Sequence, residues 1–313
     1  MKTVIRIGTR GSPLAFYQAE LVKARIHEDF PLVVVELVKI KTSGDMIRRG
    51  AMRSFETKRI FTREIEETLL TGDIDLAVHS AKDMAVPLPE GLHVGAVLER
   101  EDARDCLVAK DGKKISELPL GARIGTSSLR RKMQLFRLHP ELIIEEVHGN
   151  VESRIRKVEE GHYDAVVLAY AGMKRLGLVN HVSEIFSEDL FYPAPGQGII
   201  AIESRVGDSG MEDILKPVNH SVTEKRLECE RAFLNQLEGG CQLPCGISTA
   251  VEGAAMKAKG AIFDTESRDW AEAEQEGPSG EPALLGKRLA DVILEKGGRT
   301  ILERIRGGNA TKD

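Results

Sequence analysis

Gly8-Thr9-Arg10-Gly11-Ser12-Pro13 has an echo further along the chain, Gly125-Thr126-Ser127-Ser128. Each follows a short apolar run, Ile5 to Gly8 and Ala122 to Gly125. Each also opens a helical pattern, through Leu14, Gln18, Leu21 and Ile26 after the first and from Leu129-Arg130-Arg131 after the second. A second pair of segments repeats in the same order. Gly72-Asp73-Ile74-Asp75-Leu76-Ala77-Val78 matches Gly161-His162-Tyr163-Asp164-Ala165-Val166-Val167, and each runs into a loop that ends at Met84 or Met173. The first echo reads as strand, loop, helix and the second as strand, loop. Two similar α/β halves are the simplest account.

Segments such as Leu32 to Val38 and Ala165 to Leu168 are rich in β-branched and aliphatic residues, as strands of a covered sheet are. Open α/β sheets bind ligands at the carboxyl ends of their strands, so both Gly-Thr loops and both later loops are expected to face one cleft. The charged stretch Glu99 to Asp105 and the stretch Pro193-Ala194-Pro195-Gly196-Gln197-Gly198 read as two hinge crossings, after which Ile199 to Glu203 returns to the first half. A third unit starts near Ser221. Val222 to Leu237 is helical in pattern with Cys229 on its buried face, and alternating segments lie near Val251 and Ala261 to Phe263. Residues 271–282 read as a polar loop, Leu284 to Ile305 as a helix broken near Gly297-Gly298, and the last eight residues as frayed. The expected domains are 1–98 with 199–216, 104–192, and 221–313.

Composition narrows the function classes. The chain has 313 residues, of which 42% are hydrophobic and 30% charged, in the range of a globular protein with several cores. Aromatic residues at 4% argue against stacking platforms for single-stranded nucleic acid, and a net charge of -5 argues against a general polyanion binder. Met1 to Ile7 has no signal-peptide core, and no stretch approaches the roughly 20 apolar residues of a membrane span. A cytoplasmic protein with reduced thiols, bound to neither nucleic acid nor membrane, is expected. The cysteines at 106, 229, 241 and 245 show no paired CxxC pattern, so no structural metal is expected, and a Cys241–Cys245 disulfide is the lesser reading.

Three patterns carry chemistry. Cys241, in Leu-Glu-Gly-Gly-Cys-Gln-Leu-Pro-Cys-Gly at 237–246, follows two glycines and precedes a proline closely, which places it on an open turn. An accessible thiol there can ionise and attack; a lone cysteine is otherwise an inert core residue. Thr126, Ser127 and Ser128 stand where a strand turns into a helix, with Arg130 and Arg131 next, and Arg10 and Ser12 repeat the arrangement. Backbone N–H groups, hydroxyls and guanidiniums in that setting bind carboxylate or phosphate, though an N-cap followed by solvated arginines has the same sequence. Arg154 and Arg175 follow the loops of the second half. In His79-Ser80-Ala81-Lys82-Asp83 a carboxylate beside an ammonium can hold or move protons, or form a surface ion pair. His79 reads as a hydrogen-bonded structural residue. Together the patterns point to a small substrate with several carboxylates.

At these residues the chain resembles the porphobilinogen deaminase, or hydroxymethylbilane synthase, family. The matching segments are Arg10-Gly-Ser-Pro-Leu-Ala15, Ala77-Val-His-Ser-Ala-Lys-Asp83, Gly125-Thr-Ser-Ser-Leu-Arg-Arg131, Gly149-Asn-Val151 with Arg154, Ala171-Gly-Met-Lys-Arg-Leu-Gly177, Pro195-Gly-Gln-Gly198 and Glu238-Gly-Gly-Cys-Gln242. The resemblance implies two periplasmic-binding-protein-like α/β domains joined by a double hinge and a small C-terminal α+β domain. It implies a monomeric transferase of the porphyrin pathway that condenses four porphobilinogen molecules into the linear tetrapyrrole hydroxymethylbilane.

By the same resemblance a dipyrromethane cofactor, built from substrate, hangs from Cys241 as a thioether. Asp83, with Lys82, stabilises positive charge as ammonia leaves. Arg10, Lys82, Arg130, Arg131, Arg154 and Arg175 match carboxylate-binding positions, and Ser12, Ser80, Thr126, Ser127, Ser128, Gly149 and Gln197 match cleft-lining ones. Where the family has Arg before Gly-Asn this chain has His148, which is charged only part of the time near neutrality. A glycine-rich lid of the family reads Glu56-Thr-Lys-Arg-Ile-Phe61 here, followed by Arg63, and Cys245 is an extra cysteine. Arg59 or Arg63 could take over the role lost at His148. The competing expectations are a catalytically weak paralogue and a non-catalytic two-lobed carboxylate receptor.

Overall fold

The computed structural model describes residues 2–43, 62–238 and 243–310. In chain order the described strands and helices are β1 (Val4–Arg10), α1 (Pro13–Asp29), β2 (Val34–Ile40), α2 (Arg63–Thr71), β3 (Leu76–Ser80), β4 (Leu92–Val97), β5 (Asp105–Ala109), β6 (Arg123–Gly125), α3 (Leu129–Leu138), β7 (Ile143–Glu145), α4 (Val151–Glu159), β8 (Ala165–Ala169), α5 (Tyr170–Arg175), β9 (Glu184–Ile185), β10 (Ile200–Arg205), α6 (Ser209–Val218), α7 (Ser221–Gln236), β11 (Cys245–Glu252), β12 (Ala255–Phe263), β13 (Trp270–Pro278), α8 (Pro282–Ile293) and α9 (Arg299–Ala310). They fall into two compact units. The first is Met1–Glu101 with Gly198–Leu227, and the second is Asp102–Gln197 with Glu228–Asp313.

In the first unit the strand order is β2-β1-β3-β10-β4. β1 runs parallel to β2 and β3, and β10 runs antiparallel to β3 and β4. Helix α1 starts cleanly because Ser12 accepts from the Ala15 N–H and Pro13 needs no partner for its nitrogen. Its inner face, Ala19, Val22 and Ile26, packs with Ile5, Ile7, Leu76, Val78, Ile200 and Ile202. On the other face of the sheet, Ile65 and Leu69 of α2 cover Ile74, Ala77 and Leu92. A sheet covered on both faces needs apolar residues at consecutive positions, which is why Leu76, Ala77 and Val78 are all buried.

The second unit repeats this plan. Its strand order is β7-β6-β8-β5-β9, with β6 parallel to β7 and β8, and β5 antiparallel to β8 and β9. Gly125 pairs with Val166 as Gly8 pairs with Ala77. A Cβ on Gly125 would lie 3.0 Å from Val166 and 3.1 Å from Val147, so any side chain at this strand end would require its neighbours to shift by a few tenths of an ångström. The remaining segment forms a three-stranded antiparallel sheet, β11-β12-β13. It belongs to the same compact unit as β5 to β9: Met133 of α3 clusters with Tyr192, Ala261 and Phe263. Glu230 of α7 accepts from the Gly196 N–H at 2.7 Å and from the Thr249 hydroxyl at 2.6 Å.

Four local expectations need correction. The strand expected at 32–38 runs from Val34 to Ile40, and Leu32 sits in the preceding turn, 92% exposed. Apolar character alone places Leu32 in the strand, but the α1 C-cap at Phe30 leaves a turn between helix and strand. The expected loop at 271–282 is mostly strand β13, in which Ala271 and Ala273 are buried while Glu274 and Glu276 point outward or partly outward. The signal was period-two alternation, masked by polar composition. The loop expected after Val167 is largely the short helix α5, and α9 continues to Ala310 instead of fraying near residue 306.

Candidate active site

The first unit contributes a carboxylate at the end of β3. The chain leaves this strand in a single 3-10 turn, Ala81–Asp83, held by the Ala81 N–H on the Ile199 carbonyl at 3.0 Å. Asp83 is half-buried, and no side chain or backbone N–H pairs with its carboxylate among the described residues. Lys82 precedes it on the turn. Ser80 is tied to α1, because Gln18 donates to its hydroxyl at 2.9 Å and accepts from it at 3.1 Å. Ser12 is spent as the α1 cap, and Arg10 is half-buried at the end of β1.

The second unit contributes cations. Thr126 receives the Ser128 N–H on its hydroxyl, and Ser127 donates to the Val147 carbonyl at 2.6 Å. Ser128 caps α3, so Arg130 and Arg131 occupy its first turn. Both are buried around Asp105, which is 0% exposed. Arg131 reaches one Asp105 oxygen at 2.7 Å and the Val167 carbonyl at 2.9 Å, while Arg130 reaches the other oxygen at 2.7 Å and the Tyr192 carbonyl at 2.5 Å. Burial alone would raise the Asp105 carboxyl; the charges of Arg130 and Arg131 outweigh it and hold the group well below the usual carboxylate range. Gln197, also buried, donates to Asp105 at 3.0 Å and to the Ala103 carbonyl at 2.6 Å.

Arg154 differs from these two. Its Nε donates to the Gly149 carbonyl at 2.9 Å, and it makes no ion pair among the described residues. Burial pulls its guanidinium down to about 10, and the nearby charge of Arg131 pulls the same way. Gly149 is required for this turn: its φ is +114°, and a Cβ there would lie 2.5 Å from the Ser153 hydroxyl. His148 is largely exposed beside Glu146 at 3.7 Å, and its carbonyl accepts from Lys157 at 3.0 Å. Arg63, exposed on α2, pairs with Glu67 at 2.8 Å, whereas Arg59 and the lid 56–61 lie outside the described residues. Arg175 is half-buried at the end of α5.

Cys241 also lies outside the described residues, between Glu238 and Leu243. The segments on either side are anchored: Leu237 is buried, and the Pro244 carbonyl accepts from the Phe263 N–H at 2.9 Å. The other three cysteines are buried. Burial pushes the Cys106 and Cys229 thiols up to about 12, with the Asp105 and Glu230 carboxylates adding to the effect. Neither is a nucleophile at neutral pH.

Two family models cover nearly all of this framework. "Porphobilinogen deaminase, dipyromethane cofactor binding domain" matches residues 5–213, and "Porphobilinogen deaminase, C-terminal domain" matches residues 225–295. The chain belongs to the porphobilinogen deaminase family. The porphobilinogen deaminase of Carboxydothermus hydrogenoformans is 43% identical over 306 residues, 98% of each chain. That of Pelobacter propionicus is 42% identical over 301 residues, 96% of this chain and 97% of its own. Among solved structures, the methionine binding protein MetQ is similar at 15% identity and a TM-score of 0.44, over 69% of this chain and 88% of its own. The transferase activity, tetrapyrrole assembly and dipyrromethane cofactor expected from the sequence are those of this family.

The donor set of the second unit suits a porphobilinogen deaminase cofactor with acidic side arms. Arg154 has a guanidinium without an acid on it, and Nε and Nη2 of Arg130 make no hydrogen bond among the described residues. Sequence reading missed three residues that shape these groups: Gln18, Gln134 and Asp105. Gln134 pairs with the Tyr192 backbone through both its amide atoms, at 2.6 and 3.1 Å. A signal for two of them was present. Gln18 and Gln134 each stand six residues after the capping serine, Ser12 or Ser128.

Proposed function

We propose that this chain deaminates porphobilinogen and joins four molecules head to tail into hydroxymethylbilane, as a cytoplasmic monomer. The unpaired Asp83 carboxylate carries the reading. An ionised acid with no protein cation on it is available to a charge that appears only during reaction. Asp83 accepts the pyrrole N–H and stabilises the positive charge that develops as the C–N bond to the departing ammonia breaks. Lys82 binds a substrate carboxylate beside it. Arg154 and the open edge of Arg130 bind further acetate and propionate groups by charge-assisted hydrogen bonds, with Arg10, Arg131, Arg175 and Gln197 serving the same pyrrole chain. Ser12, Ser80, Thr126, Ser127, Ser128 and Gly149 shape the loops that carry these groups.

Cys241 is assigned the thioether to dipyrromethane, and the burial of the other three cysteines supports the assignment. When bound, the dipyrromethane supplies the α-carbon from which the chain grows. Intact mass of the purified protein tests the reading. Wild type carries a dipyrrole adduct that peptide mapping places on Cys241, and Cys241→Ser carries none and is inactive. An adduct on Cys106, Cys229 or Cys245 overturns the assignment, and wild type with neither adduct nor porphobilinogen consumption overturns the function.

A further inference from the structure

The two α/β halves can be aligned through their backbone hydrogen bonds. Tyr170 donates to Arg104 as Ala81 donates to Ile199, and Phe186 donates to Asp105 as Leu98 donates to Ile200. Asp105 is therefore the counterpart of Ile200. Aligning the helix caps Ser128 and Ser12 makes Arg130 and Arg131 the counterparts of Leu14 and Ala15. At the three matching positions the first half has apolar residues. The second has a buried carboxylate and two buried guanidiniums at this corner. A buried ion cluster seldom stabilises a fold more than apolar residues would, because desolvation cancels most of the attraction. Since the same corner folds without charge in the first half, the charge serves something other than the fold.

Asp105 has a second set of partners that the apolar counterpart lacks. One oxygen accepts Nε and Nη2 of Arg131 at 3.0 and 2.7 Å and the Gln197 amide at 3.0 Å, while the other faces Nη1 of Arg130 at 2.7 Å. Arg131 is thereby held along one edge and by Val167 on another, and Arg130 keeps Nε and Nη2 for something else. Two guanidiniums and one carboxylate leave a single net positive charge at the start of α3.

Resting on the function proposed above, we propose that Asp105 is a positioning residue. Its carboxylate aims Arg130 and Arg131 and trims their charge so that the pair grips one carboxylate of the pyrrole chain. Asp105→Asn in the full-length chain keeps the shape and removes the charge. Misaimed groups cost roughly 100-fold in rate, so kcat/KM falls by about that factor, with KM rising by a larger factor than kcat falls. Labelling by an arginine-selective dicarbonyl, read by peptide mass spectrometry, becomes about ten-fold faster at Arg131 while Arg154 stays within about two-fold, as loss of a charge-assisted clamp predicts.

A triple variant, Asp105→Ile with Arg130→Leu and Arg131→Ala, copies the first half. It folds with a melting temperature near that of wild type and fails to consume porphobilinogen. Failure of the triple variant to fold overturns the proposal, because the cluster would then serve the fold. Unchanged labelling in Asp105→Asn, or faster labelling with kcat/KM within about two-fold of wild type, also overturns it. If wild type itself carries no dipyrrole adduct, the functional reading fails while the labelling ratio still decides whether Asp105 holds the arginines.

Discussion

Asp83 and Arg154 each carry a charge that no ion pair offsets among the described residues. Asp83→Asn keeps the shape and removes the charge. Electrostatic stabilisation of this kind is worth roughly 3–4 kcal/mol, or about 100- to 1000-fold in rate. The expected outcome is a loss of that size in ammonia release from purified enzyme that still carries its adduct; near-normal turnover would exclude the role. Arg154→Gln removes a charge-assisted contact worth roughly 1.5–3 kcal/mol. It should raise KM for porphobilinogen by about ten-fold or more with a smaller change in kcat, and an unchanged KM would remove Arg154 from the site. His148→Arg should act in the opposite direction, raising kcat/KM, because it adds a guanidinium one residue before the Gly149 turn that holds Arg154. No gain would mean that another cation, such as Lys157 on the His148 carbonyl, already serves.

At the scale of elements, what matters is how each strand end turns into a helix. Ser12, Ser128 and Asn150 each cap a helix by accepting a backbone N–H. Gln18 then reaches back from α1 to Ser80 at the end of β3, and Gln134 reaches from α3 to Tyr192, so each helix is fastened to a distant segment of its own unit. Gln18→Ala leaves the Ser80 hydroxyl without its partner and should cost about 1–3 kcal/mol. The measurement is a denaturant midpoint together with kcat. Full stability would show that the fastening is dispensable, and lost stability with unchanged kcat would show that it does not steer the Lys82–Asp83 turn. Gly149→Ala belongs here as well. Its positive φ and the approach of Ser153 make any side chain strained, by about 1–3 kcal/mol. Both stability and porphobilinogen affinity should fall together, because the Gly149 carbonyl holds Arg154.

For the whole molecule, buried titratable groups bound the pH range of stability. Asp105 has a carboxyl depressed in the folded state, so the native protein binds fewer protons than the unfolded chain at low pH. Its contribution is full above about pH 4, the ordinary carboxylate value, and is lost as pH falls below that. Asp105→Asn should flatten the acid limb of a melting-temperature profile below about pH 4. At the other end the Cys106 and Cys229 thiols are pushed up to about 12, whereas an unfolded thiol ionises near about 8.5. Stability from both is full below about pH 8.5 and declines as pH rises toward about 12. Replacing each by Ala should flatten the alkaline limb; parallel profiles would show that the thiols do not set it.

The sequence by itself determined the duplicated α/β plan, because strand, turn and cap chemistry is local. Gly8 and Gly125, Ser12 and Ser128, and the apolar runs before them can be read in a linear string. Asp83, Arg154 and Cys241 can be proposed from the same string, because their neighbours match motifs of the family. It did not reveal β13, where alternating small and acidic residues look like a loop until a neighbouring strand supplies the inner face. Nor did it reveal that Arg131 and one edge of Arg130, read as open anion ligands, are committed to Asp105 from another strand. Only the tertiary structure decides such partnerships. An arginine's donors go to whichever acceptor shares its buried corner, and Asp105 reaches that corner through the pairing of β5 with β8. Nothing within a few residues of either arginine encodes it.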